Sequence, residues 1–177
     1  MKLIEVDRAG LVFARTHGHT PGLDRVVVAY SRAGEHAACW LALGLAGAVA
    51  AGDGHRRHAW LRGVRAVVAA YGANQAIKFA VRRRRPDLDG LSPLTPVVTQ
   101  LSFPSAHATT SFAAARAYRH LAPAWALYVA AAAFAVSRPY LGVHYPSDVL
   151  AGAVLGTAIA ELSPGGGSAG TGSPATA

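Results

Sequence analysis

Cysteine is almost missing from this chain: Cys39 stands alone in 177 residues, so neither an intrachain disulfide nor a cysteine-based zinc site can be built. Small disulfide-held secreted scaffolds are thereby excluded. Acidic residues are also scarce, with 9 Asp and Glu against 17 Lys and Arg, which gives a formal charge of +8. Charged residues of either sign make up only 15%, whereas 52% are apolar, the reverse of the composition that keeps chains disordered. The length allows one domain and leaves no room for a second large core. Near the N-terminus no apolar run exceeds residues 11–14, too short for a signal-peptide core, so the sequence predicts no cleaved leader.

What is present is a set of uncharged stretches with arginines between them. Residues 37–52, 66–77 and 121–137 carry no charge, and 141–160 contains only Asp148. A helix needs roughly 20 apolar residues to cross a bilayer core, down to about 17. With their flanks these Ala- and Gly-rich stretches reach that length. A fifth stretch, 106–121, contains Arg116 and Arg119 and requires shielding by its neighbours. The expected fold is therefore all-α, an integral-membrane bundle of about five transmembrane helices. Trp40, Trp60, Trp125, Tyr128 and Tyr145 fall near stretch ends, where amphipathic rings favour the membrane interface. Residues 23–33 mix a short apolar patch with Asp24, Arg25 and Arg32, which suits an N-terminal interfacial helix. The expected organisation is an interfacial segment (1–35), a membrane domain (36–162) and a disordered Gly/Ser/Pro-rich tail (163–177). Basic charge usually suggests nucleic acid, but that needs a solvated cationic face with interleaved aromatics. The pattern here predicts a bilayer and no nucleic acid.

Three constellations carry chemistry. In the run from Lys78 to Pro86, Arg85 lies seven positions after Lys78, nearly two helical turns, so both are expected on one face with Arg82 between them. A basic cluster of this kind can simply bind lipid headgroups, but Lys78 lies inside the apolar stretch, where an ionisable group is costly and usually functional. The second constellation, Phe103-Pro104-Ser105-Ala106-His107, opens an Ala-rich helical pattern with Ser105 as N-cap. Free backbone N–H groups there, including that of Ala106, form a ready anion site beside His107. In the third, Arg138 precedes His144, and Asp148 lies four residues further on, close enough to hold one imidazole nitrogen and aim the other outward. Counting crossings puts all three on one membrane face: excess positive charge, two histidines and a helix terminus, with Asp148 as the counter-ion. Such a site wants a phosphate.

With Lys78-x6-Arg85-Pro86, Pro104-Ser105-Ala106-His107 and Ser137-Arg138-x5-His144-x3-Asp148 in this order, the chain resembles the type-2 phosphatidic acid phosphatase superfamily. This family includes soluble acid phosphatases and vanadium haloperoxidases. The signature spans residues 78–148, and the surrounding helices extend the resemblance over most of 34–162. Gly is commoner in the family at the position of Ala106, but the backbone N–H is retained. Residues 34–36, 101–109 and 141–149 look most like small actinobacterial members that act as decaprenylphosphoryl-phosphoribose phosphatases. The resemblance implies a metal-independent, cofactor-free hydrolase of lipid phosphate esters in the bacterial plasma membrane. It makes His144 the nucleophile that forms a phosphohistidine, Asp148 the group that orients it, and His107 the general acid. Lys78, Arg85 and Arg138 clamp the phosphate oxygens, helped by Ser105 and the backbone at Ala106.

Phosphatidylglycerophosphate, undecaprenyl diphosphate and phosphatidate remain open as substrates. The rival from another class is a non-enzymatic basic membrane protein that binds anionic lipid. A haloperoxidase is disfavoured by the short chain. Asn74 and Gln75 are expected in interhelical hydrogen bonding and are left outside the site. Glu35 and His36 face the active side without an assigned role. Gly152 and Gly156 have the spacing of a close-packing motif. Basic residues on the two sides nearly balance, so sidedness stays open, as does oligomeric state.

Overall fold

Gly, Pro and Asp cut the uncharged stretches into helices. In the computed structural model, which describes residues 3–163, the order is α1 (Leu3–Thr16), α2 (Pro21–Ala33), a 3-10 turn (Glu35–Ala37), α3 (Ala38–Ala50), α4 (Gly54–Val81), α5 (Ala106–Tyr118), α6 (Ala124–Tyr140) and α7 (Pro146–Leu162). The starts are chemically defined. Thr20 accepts the Leu23 N–H ahead of α2, Asp53 accepts the Arg56 N–H ahead of α4, and Pro146 occupies the first turn of α7. No strand forms among the described residues; a single bridge joins Arg84 to Leu101. From residue 164 onward the expected tail lies outside the described residues.

Helix α5 is the buried centre, packed by α7, α4 and α6. Its small residues, Ala108, Thr109, Ala113 and Ala114 among them, are closed to solvent and let neighbouring backbones approach. The partner surface on α7 is equally bare. A methyl at Gly152 would lie 2.6 Å from the Ser105 carbonyl oxygen, and one at Gly156 would collide with the Thr109 backbone. The glycine pair therefore packs inside the chain. Towards the far end, Tyr118 fills the space left by Gly44 and Gly63 and donates its hydroxyl to the Trp40 carbonyl at 3.2 Å. Trp40 and Trp60 belong to this core, where aromatics near stretch ends pack as readily as at an interface; Trp125, 75% exposed, is free to take the interfacial place.

Two helices, rather than one, precede the 3-10 turn, because α1 has an inward face of Asp7, Leu11 and Arg15 at four-residue spacing. Its outward residues Ile4 and Phe13 are exposed. Among the described residues no single helix is long and apolar enough to cross a bilayer; the segments Pro21–Ala33 and Glu35–Ala50, bent by 50°, pass only together. Helices α3 and α5 have 13 residues and α6 and α7 have 17, too short by themselves, while α4, with 28, is interrupted by arginines and Lys78. Five helices do follow residue 37 in the expected order, and the outward faces of α3, α4, α6 and α7 expose Val49, Val68, Val136 and Val154. The arginines inside the fifth stretch, 106–121, are shielded as expected: Arg116 pairs with Glu161 on α7, and Arg119 lies 3.8 Å from the same carboxylate.

Candidate active site

The basic run does not continue α4. The helix ends at Val81, Arg82 adopts a left-handed conformation (φ 54°), and Lys78 and Arg85 therefore do not share a helical face as the spacing had suggested. Pro86 disfavours helix at Arg85, and the chain turns into a loop in which the Arg85 N–H donates to the Gln100 carbonyl at 3.0 Å. This loop aims Arg85 back at the bundle. Its Nε donates to the Thr99 carbonyl at 2.7 Å, and its Nη1 to the Val143 carbonyl at 2.7 Å and to His144 Nε2 at 3.2 Å.

That last contact fixes the tautomer. Guanidinium only donates, so His144 Nε2 carries the lone pair and Nδ1 carries the proton. Nδ1 faces Asp148 Oδ2 at 3.5 Å. Asp148 is fully buried; its Oδ2 also accepts the Tyr145 N–H at 2.9 Å, satisfying a free donor at the start of α7. His144 is 2% exposed, and burial, together with Arg85, Arg138 and Lys78, holds its pKa well below the imidazole range. A neutral imidazole with its lone pair on Nε2 is the form of a nucleophile. Burial likewise pulls the Arg85 guanidinium down to about 10, still charged at neutral pH.

One cavity of about 100 Å³ is lined by Lys78, Arg85, Ala106, His107, Arg138 and His144. The three sequence constellations thus meet, with Asp148 behind His144. Lys78 on α4 donates to the Leu101 carbonyl at 3.2 Å. His107, in the first turn of α5, holds the Ser31 carbonyl through Nε2 at 2.9 Å, so Nε2 bears the proton and Nδ1 is free to exchange one. Arg138 on α6 hydrogen-bonds the Ser31 hydroxyl through Nη1, while its buried Nε has no partner. Ser105 is at the N-cap position, but its side chain does not cap: its Oγ is buried without a partner, and its N–H donates to the Asp148 carbonyl at 2.9 Å. Among the described residues no group of three or more His, Cys, Asp or Glu is placed to hold a metal.

Several participants were not legible in sequence. Ser31 serves both His107 and Arg138 from α2, 76 and 107 residues away, and nothing local marks it. Gln75 joins the cavity wall, whereas its neighbour Asn74 bonds Pro104 and Thr109 between helices as expected. Glu35 and His36 also line the cavity; His36 sits in a left-handed conformation (φ 52°) and hydrogen-bonds Tyr71 at 2.9 Å. The cationic site thus has a second carboxylate at its mouth.

The PAP2 superfamily profile matches residues 59–164. The chain is 40% identical over 149 residues to decaprenylphosphoryl-5-phosphoribose phosphatase of Mycobacterium tuberculosis, covering 83% of each protein. It is 42% identical over 134 residues to the enzyme of the same name from Mycolicibacterium smegmatis, covering 75% of this chain and 72% of the relative. Among solved structures, the transmembrane PAP2-type phosphatidylglycerolphosphate phosphatase of Bacillus subtilis shares the fold with a TM-score of 0.72 at 24% identity, over 92% of this chain and 85% of that one. Aquifex aeolicus LpxE does so with a TM-score of 0.69 at 21% identity, over 90% and 93%. With its three-part signature gathered around one cavity and a family match over more than half its length, the chain belongs to the PAP2 superfamily.

Proposed function

We propose that the protein is an integral-membrane lipid phosphate phosphatase that works through a phosphohistidine, with the phosphoribose-bearing polyprenyl lipid of its mycobacterial relatives as the leading substrate. The observation that carries this reading is the His144 Nε2 lone pair, held by Arg85 Nη1 at 3.2 Å, at the wall of a cavity that Lys78, Arg85 and Arg138 also line. The unpartnered Arg138 Nε and Ser105 Oγ are the kind of buried groups that phosphate oxygens satisfy. His144 Nε2 attacks phosphorus, the bond to the lipid oxygen breaks, and His107, entering the step as imidazolium, passes its Nδ1 proton to the departing alkoxide. Water, deprotonated by His107, then displaces the imidazole and releases inorganic phosphate. Three cations supply the charge stabilisation on which phosphoryl transfer depends, so no metal ion is needed.

The outward valines and leucines of α3, α4, α6 and α7 favour a lipid-facing bundle of about five spans, with the apolar side of α1 on the membrane surface. The wall of Glu35, His36, Tyr71 and Gln75 offers hydrogen-bonding partners to a hydroxylated headgroup. Phosphate alone has no use for a carboxylate at that position. The decisive assay is phosphate release from decaprenylphosphoryl-phosphoribose, phosphatidylglycerophosphate, undecaprenyl diphosphate and phosphatidate by wild type and His144→Ala. The expected outcome is a preference for the phosphoribose lipid, persistence in excess EDTA and inhibition by vanadate. Turnover by His144→Ala at the wild-type rate would remove the mechanism.

A further inference from the structure

Two paired charges outside the cavity, one buried and one half-buried, remain unexplained by the phosphatase reading. Asp7, on the inward face of α1, is 2% exposed, and Arg83 lies in the loop between Val81 and Arg85. Arg83 bridges two carboxylates: its Nη1 is 2.8 Å from Asp148 Oδ1 and its Nη2 is 2.8 Å from Asp7 Oδ2. The same Nη1 donates to Ser147 Oγ at 2.7 Å, and the guanidinium lies 4.2 Å over the Tyr145 ring. Asp7 closes the circuit by accepting the Ser147 N–H at 2.9 Å and the Ser147 hydroxyl. Burial opposes ionisation of Asp7, but the hydrogen bonds from Ser147 and Arg83 outweigh it and hold its pKa below the usual carboxylate range. Asp7 is therefore an anion at neutral pH.

The charges add up to a device. Arg83 alone would cancel Asp148 and leave His144 facing a neutral pair. With Asp7 included, the triad carries one net negative charge beside an imidazole that becomes cationic when Nε2 bonds phosphorus. Geometry adds a second effect: the planar fork fixes Asp148 Oδ1, which turns Oδ2 towards the Tyr145 N–H and His144 Nδ1. Helix α1 is held for this task at its other end, where Arg15 donates to the Ser92 carbonyl at 2.9 Å.

We propose that Arg83 and Asp7 are positioning residues for catalysis, acting through Asp148 on His144, so that the N-terminal helix is part of the active site as well as a surface element. This rests on His144 being the nucleophile. The test measures kcat, KM and vanadate inhibition for Asp7→Asn, Arg83→Gln and Arg83→Lys on a lipid phosphate and on p-nitrophenyl phosphate. The expected result is a loss in kcat of about 10-fold for Asp7→Asn and about 100-fold for Arg83→Gln on both substrates, with KM and vanadate affinity within about 2-fold. Arg83→Lys should recover at most about a tenth of wild-type kcat, because an ammonium cannot hold both carboxylates. Residues that act through Asp148 are non-additive with it, so in an Asp148→Asn background Asp7→Asn should cost less than about 2-fold. Ser147→Ala, a milder break in the circuit, serves where Asp7→Asn does not fold. Full kcat in these folded variants, a parallel loss of vanadate affinity, or additive losses with Asp148→Asn would each overturn the proposal. Activity surviving in His144→Ala would instead overturn the phosphatase mechanism on which it stands.

Discussion

Both ends of the bundle are basic, yet they treat their cations in opposite ways. At the end where α4 and α6 begin, Arg56 and Arg57 are exposed to solvent, and Arg116 and Arg119 share Glu161. At the other end Lys78 and Arg138 are 3% and 6% exposed; Lys78 hydrogen-bonds a backbone carbonyl and Arg138 a hydroxyl, and among the described residues no carboxylate forms an ion pair with either. Burying a cation without an anion is expensive. A fold tolerates this where binding a dianion repays it. Net charge therefore does not locate the site; burial without a partner does.

The sharpest way to break this contrast is to remove a group from each end. His144→Ala should lower turnover on the order of 10⁴-fold or more, as expected for a lost nucleophile, while Arg57→Ala stays within about 2-fold in the same assay. Next, Arg85→Lys should cost about 10²- to 10³-fold in kcat/KM although the charge is kept, since Lys cannot make the paired contacts to Val143 and His144; an equivalent Arg56→Lys should be silent. A pH series sharpens the comparison further. The folded pKa of His144 lies below its unfolded value of 6.5, so the unfolded chain takes up the proton first and stability falls as pH drops below that value. Below it, wild type should lose up to about 1.4 kcal/mol per pH unit relative to His144→Gln, read from denaturation midpoints in detergent. The smallest effect belongs to the far end. Glu161→Gln breaks a partly exposed ion pair and should cost no more than about 1 kcal/mol, with activity unchanged.

Some of this arrangement is local and therefore readable from the chain. Pro146 and Asp148 start α7 through side chains within a turn of it, and the four-residue step from His144 to Asp148 already places a carboxylate beside an imidazole nitrogen. The helix order after residue 37 follows from uncharged stretches broken by Gly, Pro and Asp. The spacing from Lys78 to Arg85, by contrast, suggested a continuous helical face, because periodicity cannot show that Arg82 turns left-handed and that a loop returns Arg85 to the bundle. The side-chain cap expected of Ser105 fails for a related reason: its hydroxyl finds no backbone donor, while its N–H is taken by Asp148 from another helix.

Local chain chemistry specifies the helices after residue 37, the phosphate-gripping residue types and the placement of Asp148 beside His144, since each depends on neighbours within about two turns. Long-range packing brings Ser31 to His107 and Arg138, lines the cavity with Glu35, His36, Tyr71 and Gln75, and carries Asp7 to Arg83. Those partners are up to 107 residues apart. They meet because Gly152 and Gly156 let α7 close onto α5, and no single stretch of chain records which surfaces that approach brings together.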